Sequence, residues 1–337
     1  MVRRHRRDDR PSARVLVILD GAPEPIQPWP TTLEAARTPT LDALCRHGAV
    51  ARLRTTPEGL APGSETGIPT LLGAEPDGAV GRGAIEAASA GVDVPEGLRA
   101  WRIDLRGERG RRATEQEVHL VWPALRAQLP RHCLTPLRGH RLLAIGARHP
   151  QVMSCAGFSV EVWPAGVELR PTLDERTTVV AGPGAAAGVG RLLGARVVEP
   201  AGATGDLDTD LRGKAATAIG ALRHGGAESV IVHVGGADEA AHRTDREGKR
   251  LFLEAVDEQL LGPLAAAAHD HDATLAITAD HGTCPWTGRH DGQPVPAVLN
   301  GPRVGAAGPS RLTERAVERA PVFDSPWAIL QAAEVAA

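Results

Sequence analysis

Three short apolar segments, each followed closely by an aspartate, constrain the fold more than any other feature of this sequence. The segments are residues 15–19 before Asp20, residues 231–234 before Asp238, and residues 275–278 before Asp280. Continuous runs rich in β-branched residues are typical of strands that are buried on both faces of a parallel sheet. Helical patterns separate the runs, at residues 40–47, 66–72, 211–222 and 249–268. This alternation predicts an α/β fold with a mostly parallel sheet flanked by helices.

The residues that follow these strands predict one shared site. In open α/β sheets, ligands bind beyond the carboxyl ends of the strands. Asp20, Asp238 and Asp280 all come after the end of a predicted strand. A buried carboxylate without a counter-charge is costly, and a bound metal ion removes that cost. We therefore expect these three aspartates to converge on one edge of the sheet and to bind metal.

Histidines at suitable spacings extend the predicted metal site. Asp238 and His242 are four residues apart, so a helix that begins after the strand places both side chains on one face. His281 follows Asp280 directly at a strand end, and His290 follows in a loop rich in glycine and proline. Aspartate and histidine together are suited to Mn²⁺ or Zn²⁺ and poorly suited to Ca²⁺.

Each of these residues also has an ordinary structural interpretation. A single Asp or His in a chain of this kind is more often a helix cap or a surface residue than a metal ligand, so it is their conjunction that favours a metal site. Ser64 precedes a predicted helix, where serine commonly acts as the N-cap. In the alternative interpretation its hydroxyl is a nucleophile, because a metal-bound hydroxyl at a helix N-terminus ionises more easily and the same position attracts phosphate.

Composition excludes several classes of protein. The chain has 337 residues and a net charge of −3, so no polybasic surface indicates nucleic acid or membrane as a partner. The four cysteines are scattered without a C-x-x-C pair, which argues against a disulfide framework and fits a reducing compartment. The apolar run at residues 15–19 is too short for a signal peptide. We therefore predict a cytoplasmic enzyme.

The sequence predicts three parts of the chain. Residues 1–13 are basic and polar, and we expect a disordered tail there. Residues 105–172 begin with a dense charged stretch and contain a predicted helix at 117–129 and strand-like segments at 141–145 and 158–163. We predict that this part is a small inserted α/β cap. Residues 14–104 and 173–337 would then form the core that binds metal.

Segments spread over nearly the whole chain outside the predicted cap match one family pattern. They are residues 19–21 (LDG), 33–42 (LEAARTPTLD), 61–66 (APGSET), 81–87 (GRGAIEA), 200–210, 238–242 (DEAAH), 279–281 (ADH) and 290–296. In these motifs and their order the chain resembles the alkaline phosphatase superfamily, and in particular the archaeal-type, 2,3-bisphosphoglycerate-independent phosphoglycerate mutases. The resemblance implies an alkaline-phosphatase-like core and metal-dependent phosphoryl transfer.

The resemblance also implies two divalent metal ions, with Mn²⁺ preferred and Zn²⁺, Co²⁺ or Mg²⁺ as alternatives. One ion would be bound by Asp238, His242 and His290, and the other by Asp20, Ser64, Asp280 and His281. Ser64 would accept the phosphoryl group and return it to a different hydroxyl of a bound glycerate.

Four basic residues receive substrate-related roles from the same resemblance. Lys214 would contact the phosphate or the leaving oxygen, and its alternative is a solvated charge on a helix. Arg82, Arg102 and Arg141 would bind the substrate, because arginine pairs bidentately with phosphate and carboxylate. The expected partner is a small phosphorylated or phosphonylated acid.

The predicted cap departs from the family pattern, which leaves alternatives for the reaction. The family's Asp-Arg-Arg-Ala-Gly-Arg stretch has no clean counterpart. The first prediction is mutase-type isomerisation of a phosphoglycerate-like acid through a phosphoserine. The alternatives are a metal-dependent phosphohydrolase, and a mutase relative in specialised metabolism that acts on a phosphonate or a nucleotide-linked acid. A nicotinamide-dependent oxidoreductase is a further alternative, but the glycine-rich segment 179–184 supports it weakly because it contains Pro183.

Overall fold

The computed structural model describes residues 13–329 except 75, 138, 225, 303, 306 and 307. Its strands, in chain order, are β1 (Arg14–Leu19), β2 (Ala49–Leu53), β3 (Arg99–Arg106), β4 (Cys133–Pro136), β5 (Arg141–Gly146), β6 (Ser154–Cys155), β7 (Phe158–Val162), β8 (Thr177–Val180), β9 (Arg196–Val198), β10 (Ser229–Val234), β11 (Thr274–Thr278), β12 (Gly282–Cys284), β13 (Arg289–Asp291), β14 (Val295–Asn300) and β15 (Val322–Phe323).

The α-helices over the same residues are α1 (Thr32–Ala35), α2 (Pro39–Arg46), α3 (Ser64–Leu71), α4 (Arg82–Ser89), α5 (Glu115–Gln128), α6 (Ala185–Leu192), α7 (Leu211–His224), α8 (Gly236–His242), α9 (Arg246–Val256) and α10 (Gly262–Asp270). Among the helices described, none is long and apolar enough to cross a membrane. The predicted disordered tail, residues 1–13, falls outside the described residues except for residue 13.

The larger sheet has eight strands in the order β15-β2-β14-β11-β1-β10-β8-β9. At its centre β1 pairs in parallel with both β10 and β11, and β8 and β9 continue the parallel half. On the other side β14 runs antiparallel to β11 and to β2. The three strands predicted from apolar runs are therefore adjacent and parallel, and the predicted α/β fold with a mostly parallel sheet is confirmed.

Helices cover both faces of this sheet, and the side chains of β1 alternate between the two covered faces. Val15 and Val17 belong to the apolar layer that includes residues of α2, α7, α9 and α10. Leu16 and Ile18 belong to the layer that includes residues of α3, α4 and α6. Because both faces are buried, consecutive positions of the strand must be apolar, which explains the unbroken runs in the sequence.

A second, five-stranded antiparallel sheet has the order β4-β5-β3-β7-β6. It packs against α5 through its own apolar layer, to which Ile103 and Leu125 belong. A capping box between Thr114 and Glu117 begins α5 at Glu115, two residues before the predicted start. The second sheet spans residues 99–162, so the predicted cap boundary at residue 105 falls within β3.

The long helix predicted at residues 249–268 is interrupted. A π-helical turn, Asp257–Leu261, separates α9 from α10. Pro263 has no N–H to donate to the carbonyl four residues earlier, which favours such a widening. The turn presents the Asp257 carboxylate to the first turn of α2, where it accepts hydrogen bonds from the backbone N–H groups of Thr40 and Leu41 at 3.0 and 2.8 Å. The π-helical turn therefore connects α9 to α2 through hydrogen bonds on one face of the sheet.

Candidate active site and metal centre

The predicted metal ligands converge beyond the carboxyl ends of the three central strands. Asp20 follows β1, Asp238 lies in α8 immediately after β10, and Asp280 follows β11. All three carboxylates are buried, and Asp280 is fully inaccessible to solvent. Their proximity is a direct result of the parallel register, because β1, β10 and β11 all end at the same edge of the sheet.

The first group of ligands surrounds Asp238. His242 Nε2 lies 3.2 Å from Asp238 Oδ2, and His290 Nε2 lies 3.5 Å from Asp238 Oδ1. Each imidazole uses its Nδ1–H to donate to a backbone carbonyl, of Gly288 at 2.8 Å for His242 and of Pro62 at 3.0 Å for His290. In neutral imidazoles this leaves both Nε2 lone pairs facing each other, at 3.0 Å, and facing the carboxylate. Such an arrangement of acceptors fits a cation between them.

The second group contains Asp20, Ser64, Asp280 and His281. Ser64 Oγ lies 3.5 Å from both Asp20 Oδ2 and His281 Nε2. His281 Nε2 is also 3.3 Å from Asp20 Oδ1 and 3.5 Å from Asp280 Oδ2. Of the described atoms, none forms a hydrogen bond with Asp20 Oδ1 or Asp280 Oδ2, although both are buried. Buried, unpartnered carboxylate oxygens of this kind fit a second divalent cation.

The charges of the two groups support the same conclusion. The pKa of Asp20 is raised well above its ordinary value by burial and by repulsion from Asp280 and Asp238. Burial would raise the pKa of Asp238, but when His242 and His290 are protonated on Nε2 their hydrogen bonds hold this pKa well below its usual range. A metal ion would take the place of these two protons. Three carboxylates buried together are electrostatically unfavourable without cations, and this donor set fits Mn²⁺, Zn²⁺ or a similar ion.

When the potential ligands are grouped only by the distances between their ligand atoms, the two groups differ from those predicted from the sequence. One set of potential ligand atoms that lie within 4.8 Å of one another comes from Asp238, His281 and His290, and a second comes from Asp20, His233 and Asp280. His281 thus lies between the two groups. His233, in β10, was not among the predicted ligands, although the sequence contains a signal for it: it is a histidine within an otherwise apolar strand segment.

Two glycines allow the site to assemble. Gly21 has a φ of +60°, and a Cβ there would lie 2.6 Å from Asp238 Oδ1. Gly67, in α3, faces the backbone of Asp280, and a Cβ there would lie 2.1 Å from the Asp280 carbonyl oxygen. The absence of a side chain at Gly21 leaves room for Asp238, and its absence at Gly67 lets α3, which begins with Ser64, approach Asp280 closely.

The segment around His290 is ordered as a hairpin. The sequence predicts a loop at His290, whereas the structure places this residue in β13, which pairs antiparallel with β12. Two further residues, which the sequence did not indicate, hold Asp238 in position. Thr283, in β12, donates from Oγ1 to Asp238 Oδ1 at 2.5 Å, and the buried Lys249 Nζ donates to the Thr283 carbonyl at 2.8 Å. Because His290 pairs with Thr283 across the two strands, the contact of Thr283 with Asp238 also brings His290 close to Asp238.

A cavity of about 500 Å³ opens above the two groups. Its lining includes Ser64 and, facing it from the second sheet, Arg102, Arg141 and Trp163. The glycine-rich turn at residues 182–184, between β8 and α6, also lines the cavity. A pocket with the predicted metal-binding carboxylates on one side and guanidinium groups on the other is suited to a small anion.

The three arginines predicted to bind substrate line this cavity, and each has a carboxylate partner. Arg102 is buried, donates bidentately to Asp104 at 2.7 and 2.9 Å, and stacks over Trp163. Arg141 donates to Glu86 at 3.1 Å. The third, Arg82, donates to Glu65 at 3.1 Å. The carboxylates hold these guanidinium groups in place, which the sequence alone did not indicate.

Lys214 does not reach the cavity. Its side chain is fully buried, and Nζ donates to the carbonyl oxygens of Thr204 and His233 at 3.2 and 3.0 Å. The alternative interpretation as a solvated helix charge is therefore wrong. Burial lowers the pKa of this ammonium to about 8. In this geometry Lys214 supports the end of β10.

Comparison with known proteins assigns the chain to a family. A family model described as the metalloenzyme superfamily matches residues 12–320. The chain is 29% identical to the 2,3-bisphosphoglycerate-independent phosphoglycerate mutase of Methanopyrus kandleri, over 85% of this chain and 87% of that protein. It is 29% identical to the enzyme of the same name from Ignicoccus hospitalis, over 90% of this chain and 92% of that protein.

Solved structures agree on the fold. The PH0037 protein from Pyrococcus horikoshii aligns with a TM-score of 0.78 and 21% identity over 96% of each chain. The cofactor-independent phosphoglycerate mutase from Thermoplasma acidophilum aligns with a TM-score of 0.58 and 16% identity over 95% of this chain and 98% of that one. The chain is therefore an enzyme of the metalloenzyme superfamily, and the predicted resemblance to the archaeal bisphosphoglycerate-independent phosphoglycerate mutases is confirmed.

Proposed function

We propose that this chain is a metal-dependent phosphotransferase of the phosphoglycerate mutase type, in which Ser64 carries the phosphoryl group between two hydroxyls of one phosphoglycerate-like acid. The position of Ser64 supports this most strongly. Its Oγ lies 3.5 Å from Asp20 and from His281, at the first residue of α3 and at the lining of the cavity. The names of similar proteins over most of the chain point the same way.

The two groups of ligands would hold two divalent ions, with Mn²⁺ preferred and Zn²⁺, Co²⁺ or Mg²⁺ as alternatives. Asp238, His242 and His290 would hold one, and Asp20, Ser64, Asp280 and His281 the other. Ions in these positions would lower the pKa of the serine hydroxyl and balance the charge of the phosphoryl group during its transfer.

The protein's own groups then account for the transfer. Ser64 Oγ loses its proton and attacks phosphorus, and the bond from phosphorus to the first hydroxyl oxygen of the acid breaks. That oxygen takes up a proton. The second hydroxyl then loses its proton and attacks the phosphoserine, the bond from phosphorus to Ser64 Oγ breaks, and Ser64 Oγ takes up a proton. Neither water nor a net proton is consumed. The positive end of α3 favours the phosphoryl group at this position.

The second sheet has the role of a substrate cap in this proposal. Arg102 and Arg141 from this sheet, with Arg82 from α4, face the metal ligands across the cavity. Guanidinium groups bind carboxylate and phosphate bidentately, so they would hold the acid while its two hydroxyls exchange places at Ser64. A cap that excludes water preserves the phosphoserine for the second transfer, whereas access of water would make the enzyme a phosphohydrolase.

Phosphorus NMR tests the proposal. Enzyme loaded with Mn²⁺ is incubated with 3-phosphoglycerate, and 2-phosphoglycerate and free phosphate are both followed. Formation of 2-phosphoglycerate without phosphate is the expected result. Release of phosphate alone would identify a hydrolase. No reaction by enzyme with both ions bound would contradict a phosphoglycerate substrate, and other phosphorylated or phosphonylated acids would then be compared.

A further inference from the structure

His233 is a buried histidine to which neither the metal prediction nor the proposed reaction gives a role. It is the fifth residue of β10, and the three residues before it are the apolar Val230, Ile231 and Val232. Its side chain is 7% exposed and lines the same cavity as Asp20 and Ser64. A polar ring at the centre of the sheet costs free energy of desolvation unless it has a partner.

Strand register explains why His233 faces the aspartates. His233 pairs with Ile18 of β1, and Ile18 pairs with Thr278 of β11. Side chains at paired positions of a parallel sheet lie on the same face. Asp20 and Asp280 each come two residues after Ile18 and Thr278, so alternation places them on that face, one step closer to the strand ends. His233 therefore lies directly behind the two aspartates.

Distances agree with this placement. His233 Nε2 lies 3.1 Å from Asp20 Oδ2. One potential ligand atom from each of Asp20, His233 and Asp280 lies within 4.8 Å of the other two. The strand end that carries the histidine is held by Lys214, whose Nζ donates to the His233 carbonyl at 3.0 Å.

We infer that His233 is an additional ligand of the metal ion at Asp20, Ser64 and Asp280. This rests on the proposed function only in requiring that the site binds metal. His233 would give this ion an imidazole that is not shared with the other group. His281, the other ring near it among the described residues, also lies close to Asp238 and His290. Together with His281, which the proposed function assigns to the same ion, the donor set becomes two carboxylates, two imidazoles and a hydroxyl, which suits Mn²⁺ or Zn²⁺.

Metal titration of two variants tests the inference without any substrate. His233→Leu removes both the ligand and the hydrogen bond. His233→Gln keeps a side-chain N–H that can donate to Asp20 but removes the imidazole. Metal-free wild type and variants are titrated with Co²⁺, and bound metal and the visible absorption of the Co²⁺ are both measured. We expect one of the two ions to bind at least about tenfold more weakly in both variants, with an altered cobalt spectrum in His233→Gln.

Two results would overturn the inference. If His233→Gln binds both ions with wild-type affinity, or binds one more weakly with an unchanged cobalt spectrum, then His233 orients Asp20 by hydrogen bonding and is not a ligand. His140→Gln is the matched control, because His140 is a buried cavity histidine that contacts Asp104 of the second sheet. This control should leave the metal content unchanged.

A measurement on the wild-type chain covers the case in which the variants do not fold. Protein with ¹⁵N-labelled histidine and bound ¹¹³Cd shows a scalar coupling for every histidine that binds the metal. Coupling at His233, in addition to His242, His281 and His290, is expected, and its absence at His233 with both sites loaded would refute ligation. Because metal binding is read directly, a lack of mutase turnover would contradict the proposed function and leave this inference standing.

Discussion

Ser64 occupies the point where the predicted metal ligands, the positive end of α3 and the cavity meet. Replacing it with alanine removes one hydroxyl and leaves Asp20 and the other carboxylates in place. We expect Ser64→Ala to lower phosphoryl transfer at least about a thousandfold, because the covalent route is lost. The bound metal should remain close to the wild-type amount.

Turnover by ³¹P NMR and metal content by elemental analysis are the measurements for this variant. Ser154→Ala, at an exposed position of β6, is the control and should behave as wild type. Turnover within tenfold of wild type in Ser64→Ala would show that the nucleophile is a different group.

Single residues also show how far the sequence could predict the site. The spacing of Asp238 and His242, and the strand-end positions of Asp20 and Asp280, indicated groups that the structure brings together, although metal binding itself stays a prediction. His233 was missed because a histidine within an apolar run reads as part of the buried strand. The carboxylate partners of the cavity arginines were also missed, because contacts such as that of Arg141 with Glu86 join residues 55 positions apart.

At the level of elements, the approach of α3 to the end of β11 places Ser64 in the site. Gly67 makes this approach possible, since a Cβ there would lie 2.1 Å from the Asp280 carbonyl oxygen. We expect Gly67→Ala to destabilise the fold by about 1–3 kcal/mol through overpacking and to lower activity by moving Ser64. Urea unfolding and turnover measure the two effects.

Gly220→Ala offers a matched control in another helix. Gly220 lies in α7, and a Cβ there would contact nothing within 4 Å. This substitution should stabilise the protein by about 0.5–1 kcal/mol, because alanine has the higher helix propensity. If both variants had the same stability, close packing at Gly67 would not be what limits the position of α3.

The buried carboxyl group of Glu314 should make the free energy of unfolding depend on pH. Burial raises the pKa of Glu314 to about 7, although hydrogen bonds from Thr31 and Glu24 act to lower it. The unfolded chain, with an ordinary glutamate pKa of 4.5, loses this proton first as the pH rises. The free energy of unfolding should therefore fall between about pH 4.5 and 7, by about 3 kcal/mol from this group.

Glu314→Gln removes the ionisation and keeps most of the shape. Its free energy of unfolding, measured with urea at pH 5 and pH 8, should change less between the two than that of wild type. Glu318→Gln, at an exposed position, should keep the wild-type difference. An equal difference in all three proteins would show that Glu314 does not remain protonated in the fold.

Helices and strands could be predicted from the sequence where local patterns of residues determine them. The apolar runs and helical periodicities located the central strands and several helices to within a few residues. The antiparallel side of the sheet was not predicted, because β2 pairs with β14 across more than two hundred residues and neither segment has a local signal for its partner. The π-helical turn was missed for a similar reason, since its carboxylate serves a helix far away in the sequence.

For the whole molecule, the buried carboxylates predict that stability depends on bound metal. Repulsion among Asp20, Asp238 and Asp280 destabilises the metal-free fold, and ions that bind only the folded state stabilise it by about 2.7 kcal/mol at one hundred times their dissociation constant. Chelation should therefore lower both the thermal midpoint and the activity, and Mn²⁺ should restore both. Calorimetry with and without Mn²⁺ measures the gain.

Asp280→Asn separates repulsion from ligation. Without metal at pH 8 it should be more stable than metal-free wild type, because one of the three mutually repelling charges is gone. Addition of Mn²⁺ should raise the stability of this variant less than it raises that of wild type. An equal gain would exclude Asp280 as a ligand.

The most direct measurement for the whole scheme is mass spectrometry of enzyme quenched with acid during turnover of 3-phosphoglycerate. Metal-dependent phosphoryl transfer through Ser64 predicts a phosphorylated peptide that contains Ser64, present with Mn²⁺ and absent after chelation, whether the final product is 2-phosphoglycerate or free phosphate. Sustained turnover with Ser64 unmodified at every quench time, or with the phosphoryl group on a different residue, would contradict it.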